Sequence, residues 1–141
     1  MTLKDIDNDY RIIVKNKQTI DGETNVIEEL AYGSLYEKNG KWYIIYKTED
    51  DGDRISSLIK IADNEVSIKR SGNINSMMVY KTGAKREFMY GTPYGEIAME
   101  LETHRIITDI AENGGRVDMV YTLNVQGEKY FNDMEITVVK R

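Results

Sequence analysis

The sequence predicts an all-β domain of short antiparallel strands, and two observations carry that prediction. Apolar residues recur at period two along most of the 141 residues, the pattern of strands that bury one face. Clusters of Gly, Asn and Asp interrupt these runs roughly every 8–14 residues, which is the spacing of a β-barrel or sandwich. About ten strands can be counted, a share far above that of an average domain.

The elements follow in chain order. Trp42, Ile44 and Tyr46 alternate with Tyr43, Ile45 and Lys47, so both faces of this strand carry apolar bulk and cover on both sides is expected. Val66 and Ile68 alternate with Ser67 and Lys69, and Met78 with Tyr80 keeps the same spacing. Glu96–Glu102 is rich in good helix formers, and propensity alone reads it as helix. Yet Ile97, Met99, Leu101 and Thr103 alternate with Glu96, Ala98, Glu100 and Glu102, and period overrides propensity. After a break near His104, the alternation resumes at Ile106, Thr108 and Ile110. Val117, Met119, Tyr121, Leu123 and Val125 give the cleanest pattern, and Met134, Ile136 and Val138 the last.

The joints suit tight turns. Asn39-Gly40, Asp51-Gly52, Asp63-Asn64, Ser71-Gly72-Asn73, Thr82-Gly83, Asn113-Gly114-Gly115 and Gln126-Gly127 favour the positive φ angles of hairpins. The single proline, Pro93, lies within Gly91-Thr92-Pro93-Tyr94-Gly95 and marks a strand start, an edge or a bend.

Composition bounds the rest. One domain over residues 1–141 is expected, with residues 1–9 a flexible N-terminal lead. The 40% apolar content supplies a core, and the absence of cysteine removes disulfides, thiolate metal sites and thiol nucleophiles. A net charge of −5 argues against nucleic acid, whose binding rests on Lys and Arg displacing counterions. Lys81, Lys85 and Arg86 read as a solvated hairpin tip. No run approaches the ~18–20 apolar residues of a membrane span, and the first residues lack the apolar stretch of a secretory signal. The expected compartment is the cytoplasm.

The sequence from Thr92-Pro93-Tyr94-Gly95-Glu96-Ile97-Ala98-Met99 through Thr103 to Gly115, Val117 and Tyr121-Thr122-Leu123 resembles the YwiB-like family of small bacterial proteins. Upstream, Trp42-Tyr43-Ile44-Ile45-Tyr46 with Glu49, Lys60-Ile61, and Val66 with Ile68-Lys69-Arg70-Ser71-Gly72 fit the same pattern. The resemblance implies a calycin- or lipocalin-like antiparallel β-barrel of about 8–10 strands, whose interior is either filled or holds one small ligand. It also implies that Glu96–Glu112 is strand. It implies no activity, since that family has none assigned.

Arg70 is the most informative single residue. It shares a period-two face with Val66 and Ile68 and is therefore expected to point inward at one barrel end. A guanidinium there needs a carboxylate, carbonyls or an aromatic face. By the resemblance to calycins, Trp42 would supply the face, with Glu49 supplying charge, and Arg70 would close the barrel end. The alternative is an Arg that anchors an anionic ligand.

The other candidates read as structure. His104, the sole histidine, shares a face with Glu100 and Glu102, but the three span about 13 Å of strand, too far for one metal ion. Glu49-Asp50-Asp51-Gly52-Asp53 lacks the register of a calcium loop and reads as a hydrated hairpin. Gly91–Gly95 lacks the spacing of a phosphate loop, and Ser56-Ser57 lacks the surroundings of a nucleophile. No catalytic residue, metal site or cofactor is expected.

The expected function is non-enzymatic binding of a small apolar or amphipathic molecule inside the barrel. Trp42, Tyr46, Arg70, Tyr80, Met99 and Tyr121 are the candidate pocket or barrel-end residues. The alternative is a solidly packed barrel that acts through its outer surface or by self-association as a homo-oligomer. A void lined by Tyr121, Met99 and Tyr80 separates the first from the second. Neither nucleic acid nor membrane is an expected partner.

Overall fold

A computed structural model describes residues 8–50 and 52–141, without the side chain of Asp50. The described residues form ten strands: β1 (Tyr10–Ile20), β2 (Glu23–Lys38), β3 (Lys41–Asp50), β4 (Asp53–Ala62), β5 (Glu65–Gly72), β6 (Ser76–Lys81), β7 (Lys85–Thr92), β8 (Gly95–Ala111), β9 (Gly114–Val125) and β10 (Glu128–Lys140). Every neighbouring pair is antiparallel, in the order β6-β5-β4-β3-β2-β1-β10-β9-β8-β7. Each strand thus pairs with its neighbour in sequence, except β6 with β7, and β1 with β10 joins the two ends of the chain. The lead expected over residues 1–9 falls mostly outside the described residues. Within it, the Asn8 and Asp9 carbonyls accept hydrogen bonds from Arg141 at 2.8 and 2.7 Å.

The barrel closes between β6 and β7 through one isolated bridge and through contacts of their connecting turn with β8, not along a full ladder. Asn75 and Gly91 exchange backbone hydrogen bonds of 3.1 and 2.8 Å. At the other end of the two strands, Gly83 donates to the Thr103 carbonyl at 2.9 Å and Thr103 donates to Ala84 at 3.1 Å. Such closure leaves little sheet edge open.

Turn chemistry sets the registers. Asn39-Gly40 and Gln126-Gly127 adopt positive φ at both residues, as does Asp21-Gly22, the geometry of two-residue hairpin turns. The Asp51-Gly52 turn includes a residue outside those described. Pro93 and Tyr94 form the tip of the β7–β8 hairpin, where Thr92 Oγ1 donates to the Gly95 carbonyl at 2.8 Å. Gly33 answers a different demand. A Cβ there would lie 2.0 Å from the Ile45 carbonyl oxygen and 2.9 Å from Tyr46 Cβ, so only glycine lets β2 cross β3 this closely.

Glu96–Glu102 is strand, within the 17 residues of β8. The break near His104 is a bulge: the pairing of β8 with β9 shifts between Thr103 and Arg105. One extra residue moves the inward set from Leu101 and Thr103 to Ile106 and Ile110, which restores apolar packing on the core. His104 leaves the ladder and its Nε2 lies 2.7 Å from Thr122 Oγ1. Thr122→Val is expected to lower stability by about 1 kcal/mol, because it keeps the shape and deletes one hydrogen bond. A shift in urea midpoint at unchanged slope would report it.

The inward positions change character along the barrel axis. At one end Ile12, Leu35, Ile44, Ile59, Ile61, Val66, Val117, Ile136 and Val138 pack into a buried aliphatic plug. Two to six residues further along these strands, and at the start of β6, the inward set becomes Asn16, Glu29, Ser57, Arg70, Ser76, Tyr121 and Asn132. The core therefore fills one half of the barrel and leaves the other half to a different chemistry.

Candidate functional site

Beyond the aliphatic plug, the barrel holds a cavity of about 590 Å³ that opens to solvent at its mouth. Its wall is mainly apolar: Val14, Ile55, Ile74, Leu123 and the three methionines Met78, Met99 and Met134. Strand alternation explains why most of them meet, since all but Ile74 occupy the inward register of a strand; Ile74 lies in the bend between β5 and β6. Methionine suits such a wall, being flexible and polarizable enough to fit variable shapes.

Arg70 enters this apolar space. On β5 it pairs with Ser57 of β4 and Ser76 of β6, so the guanidinium has small side chains on both sides. No hydrogen bond or ion pair to Arg70 is formed among the described residues. Burial works against its charge, but Tyr46, Tyr80, Glu29 and Tyr121 more than offset this and hold its pKa above the ordinary value. A guanidinium carries five donors in a fixed fork, and here they face the cavity.

Three tyrosines complete the polar side of the site. Tyr46 is fully buried, and its hydroxyl faces Ser57 and Glu29 without a well-formed hydrogen bond to either. Tyr80 and Tyr121 meet edge to face with ring centroids 4.9 Å apart, and the Tyr80 hydroxyl points at Met78 Sδ at 3.5 Å. Burial is the main cause that raises all three phenols, Tyr121 to about 12. At neutral pH they are uncharged donors. Nearby Ser76 Oγ and Asn16 Oδ1 are also buried without a protein partner.

Towards the mouth, Asn132 Oδ1 accepts from Gln18 Nε2 at 2.9 Å and from Asn16 Nδ2 at 3.1 Å. Ile27 and Glu29 of β2 line the same region. Glu29 lies four residues beyond Gly33, the last residue of β2 to pair with β3. The splay of β2 from β3 past that point lets a charged residue occupy an inward position.

Of the six residues the sequence singled out, Arg70, Tyr80, Met99 and Tyr121 line the cavity, and Tyr46 lies beside Arg70. Trp42 does not join them. Tyr46 pairs across Ser57 to Arg70, whereas Trp42 pairs across Ile61 to Val66. It lies four residues, about 13 Å, further along the barrel, packed against the aliphatic plug. The expected Arg70–Trp42 closure is therefore corrected, and Glu49 pairs with Arg54 at 3.6 Å instead. Glu29, Asn16, Gln18 and Ile74 are site residues the alternation did not single out.

The other candidates stay apart from the cavity. Of the two carboxylates expected beside it, Glu102 lies 3.9 Å from His104, while Glu100 pairs with Lys85. No cluster of three or more metal-ligating side chains occurs among the described residues. Arg86 pairs with Glu65 at 4.0 Å, so the basic hairpin is balanced by acids from β8 and β5. On the outer wall Tyr43 stacks on Tyr36 at 5.1 Å, and Ile45 is only 3% exposed although it lies outside the core cluster. No helix among the described residues is long and apolar enough to cross a membrane.

Comparison with known proteins places these features in context. The sequence profile of a domain of unknown function, DUF1934, matches residues 12–138. The chain is 31% identical over 125 residues to an uncharacterized β-barrel protein, YwiB, of Bacillus subtilis strain 168, covering 88% of each chain. The crystal structure of the Bacillus subtilis ywiB protein is similar throughout, with a TM-score of 0.87 at 27% identity. That match covers 98% of this chain and 96% of the other.

Proposed function

Because the chain belongs to the DUF1934 family, whose function is unknown, we propose its role from the barrel itself: a non-enzymatic, cytoplasmic binding protein that holds one small amphipathic anion in its lumen. The observation that carries this reading is Arg70, which faces a 590 Å³ cavity without a protein hydrogen bond. Arg70 is half-buried at this cavity, and a guanidinium partly withdrawn from water with open donors is stabilised by any anion that pairs with it. A carboxylate or phosphate pairs with it in a fork of charge-assisted hydrogen bonds. The neutral hydroxyls of Tyr46, Tyr80 and Tyr121 add donors, and the methionine wall accepts an apolar tail. The volume lies within the ~300–1,000 Å³ of small-molecule sites.

An aqueous setting is supported by the outer face, where Arg11, Lys15, Lys17, Glu28 and Asp133 are exposed. Charges on that face would be costly against lipid.

Native mass spectrometry of the purified protein, before and after denaturing extraction, tests the reading. Stoichiometric extra mass that leaves on denaturation, and an extracted acid with an apolar tail, is the expected result. A clean apo protein that also fails to bind decanoate at millimolar concentration would sink it. A second reading, action through the outer wall, draws on exposed Leu30, Tyr32 and Val139, which neighbour Ile13 and Arg11 across β1. A discrete oligomer in the same spectra would favour it.

A further inference from the structure

The lumen holds two opposite charges that do not neutralise each other directly. Arg70 and Glu29 both line the cavity, yet no ion pair within 4.0 Å joins them among the described residues. They lie three strands apart around the wall, and Glu29 also stands four residues, about 13 Å of strand, nearer the mouth than Gly33, the β2 residue at the Arg70 level; both residues line the cavity. Glu29 influences Arg70 through space, so the separation is bridgeable. A simple anion seated on Arg70 would gain from the guanidinium and lose to the Glu29 carboxylate in the same low-dielectric space.

We propose that the ligand carries both charges: a zwitterionic head group of the α-amino acid type, its carboxylate on Arg70 and its ammonium towards Glu29, with the apolar chain along Met78, Met99 and Met134. This rests on the reading of the barrel as a binding protein and adds Glu29 as the residue that selects among amphiphiles. The geometry fits that head group because its two charges are one carbon apart and point in different directions. The amide cluster of Asn16, Gln18 and Asn132 lies on the same side of the mouth and offers acceptors to an ammonium. Within that cluster Asn16 Oδ1 is buried and has no protein partner.

Two probes that differ only in the ammonium, decanoate and 2-aminodecanoate, test the inference by calorimetric titration of the full chain. Wild-type protein is expected to bind 2-aminodecanoate at least about tenfold more tightly than decanoate. Glu29→Gln keeps the size of the side chain and removes its charge. In that variant the preference should collapse, with decanoate bound as tightly as in wild type or more tightly. If wild type binds decanoate as well as 2-aminodecanoate, the zwitterion is wrong while the anion-binding reading stands. A tenfold preference that survives Glu29→Gln likewise overturns the role of Glu29. Failure of both probes to bind at millimolar concentration overturns this inference and the binding reading together.

Discussion

Arg70→Met is expected to weaken decanoate binding by at least about 100-fold, or ~2.7 kcal/mol, while leaving the apo barrel as stable as wild type or up to about 2 kcal/mol more stable. The two halves of this result come from one fact: the guanidinium has no protein hydrogen bond in the lumen. Each charge-assisted hydrogen bond to a ligand carboxylate contributes about 1.5–3 kcal/mol, and the fork can form two. Deleting the group forfeits both. In the apo state the same group is a desolvated charge whose nearest carboxylate, Glu29, is not in contact. Methionine replaces much of its volume with apolar atoms that match Met78 and the rest of the wall. Ser57 and Ser76 on either side lose no partner, because neither donates to or accepts from Arg70. Urea midpoints for the apo proteins, alongside decanoate titration, separate this from a structural plug. A plug would show a clear fall in midpoint, and that fall with unchanged affinity would overturn the assignment. Arg70→Lys should recover part of the binding, since it keeps the charge and loses the fork.

Why Arg70 was legible, and its surroundings were not, follows from what alternation encodes. Period two assigns a residue to a face of its own strand, and Arg70 follows Val66 and Ile68 without ambiguity. The same rule put Tyr80, Met99 and Tyr121 on inward faces, and all three line the cavity. It does not encode height along the barrel. Height is the sum of the registers across every intervening strand, so the level of Trp42 relative to Arg70 depends on the β3–β4 and β4–β5 pairings. Those pairings put Tyr46, not Trp42, opposite the Arg70 level.

Other parts of the fold differ in the same way. The run from Val117 to Val125 could be read at once because one face is buried and the other is mostly polar. In β2 the inward residues are Ile27, Glu29, Ala31, Gly33 and Leu35, while Val26, Leu30 and Tyr32 face outward. Apolar bulk on the outer side and small or charged residues on the inner side reverse the usual contrast. Glu29 was hidden by that reversal. A charged residue at a position two from Ala31 and Ile27 is the signal that could have found it. His104 was legible only as a break, since a bulge shifts the phase of alternation without leaving a composition of its own.

Alkaline pH is expected to unfold the barrel through the tyrosines that line its lumen. Tyr121 is held at about 12 against an ordinary value of 10.0, mainly by burial, with the neighbouring Tyr80 hydroxyl and Arg70 acting in the opposite direction. The folded barrel thus holds the phenolic proton more tightly than the unfolded chain does. Stability from this group is complete below pH 10 and drains between pH 10 and about 12, by roughly 1.4 kcal/mol per unit, or ~3 kcal/mol in all. Tyr80 and Tyr46 are shifted in the same direction and for the same leading cause, burial, so they deepen the loss. For a domain with a stability of about 5–15 kcal/mol, a loss of this size is decisive. Urea midpoints measured from pH 8 to 11.5 should stay level and then fall steeply above pH 10. Tyr121→Phe cannot form the buried phenolate and should fall less over the same interval, because surface lysines and tyrosines titrate alike in both proteins. Parallel curves for the two proteins would mean that Tyr121 ionises as freely in the barrel as in the unfolded chain. The lumen around Arg70 would then be wetter than its burial implies, and the affinity expected of the guanidinium would shrink with it.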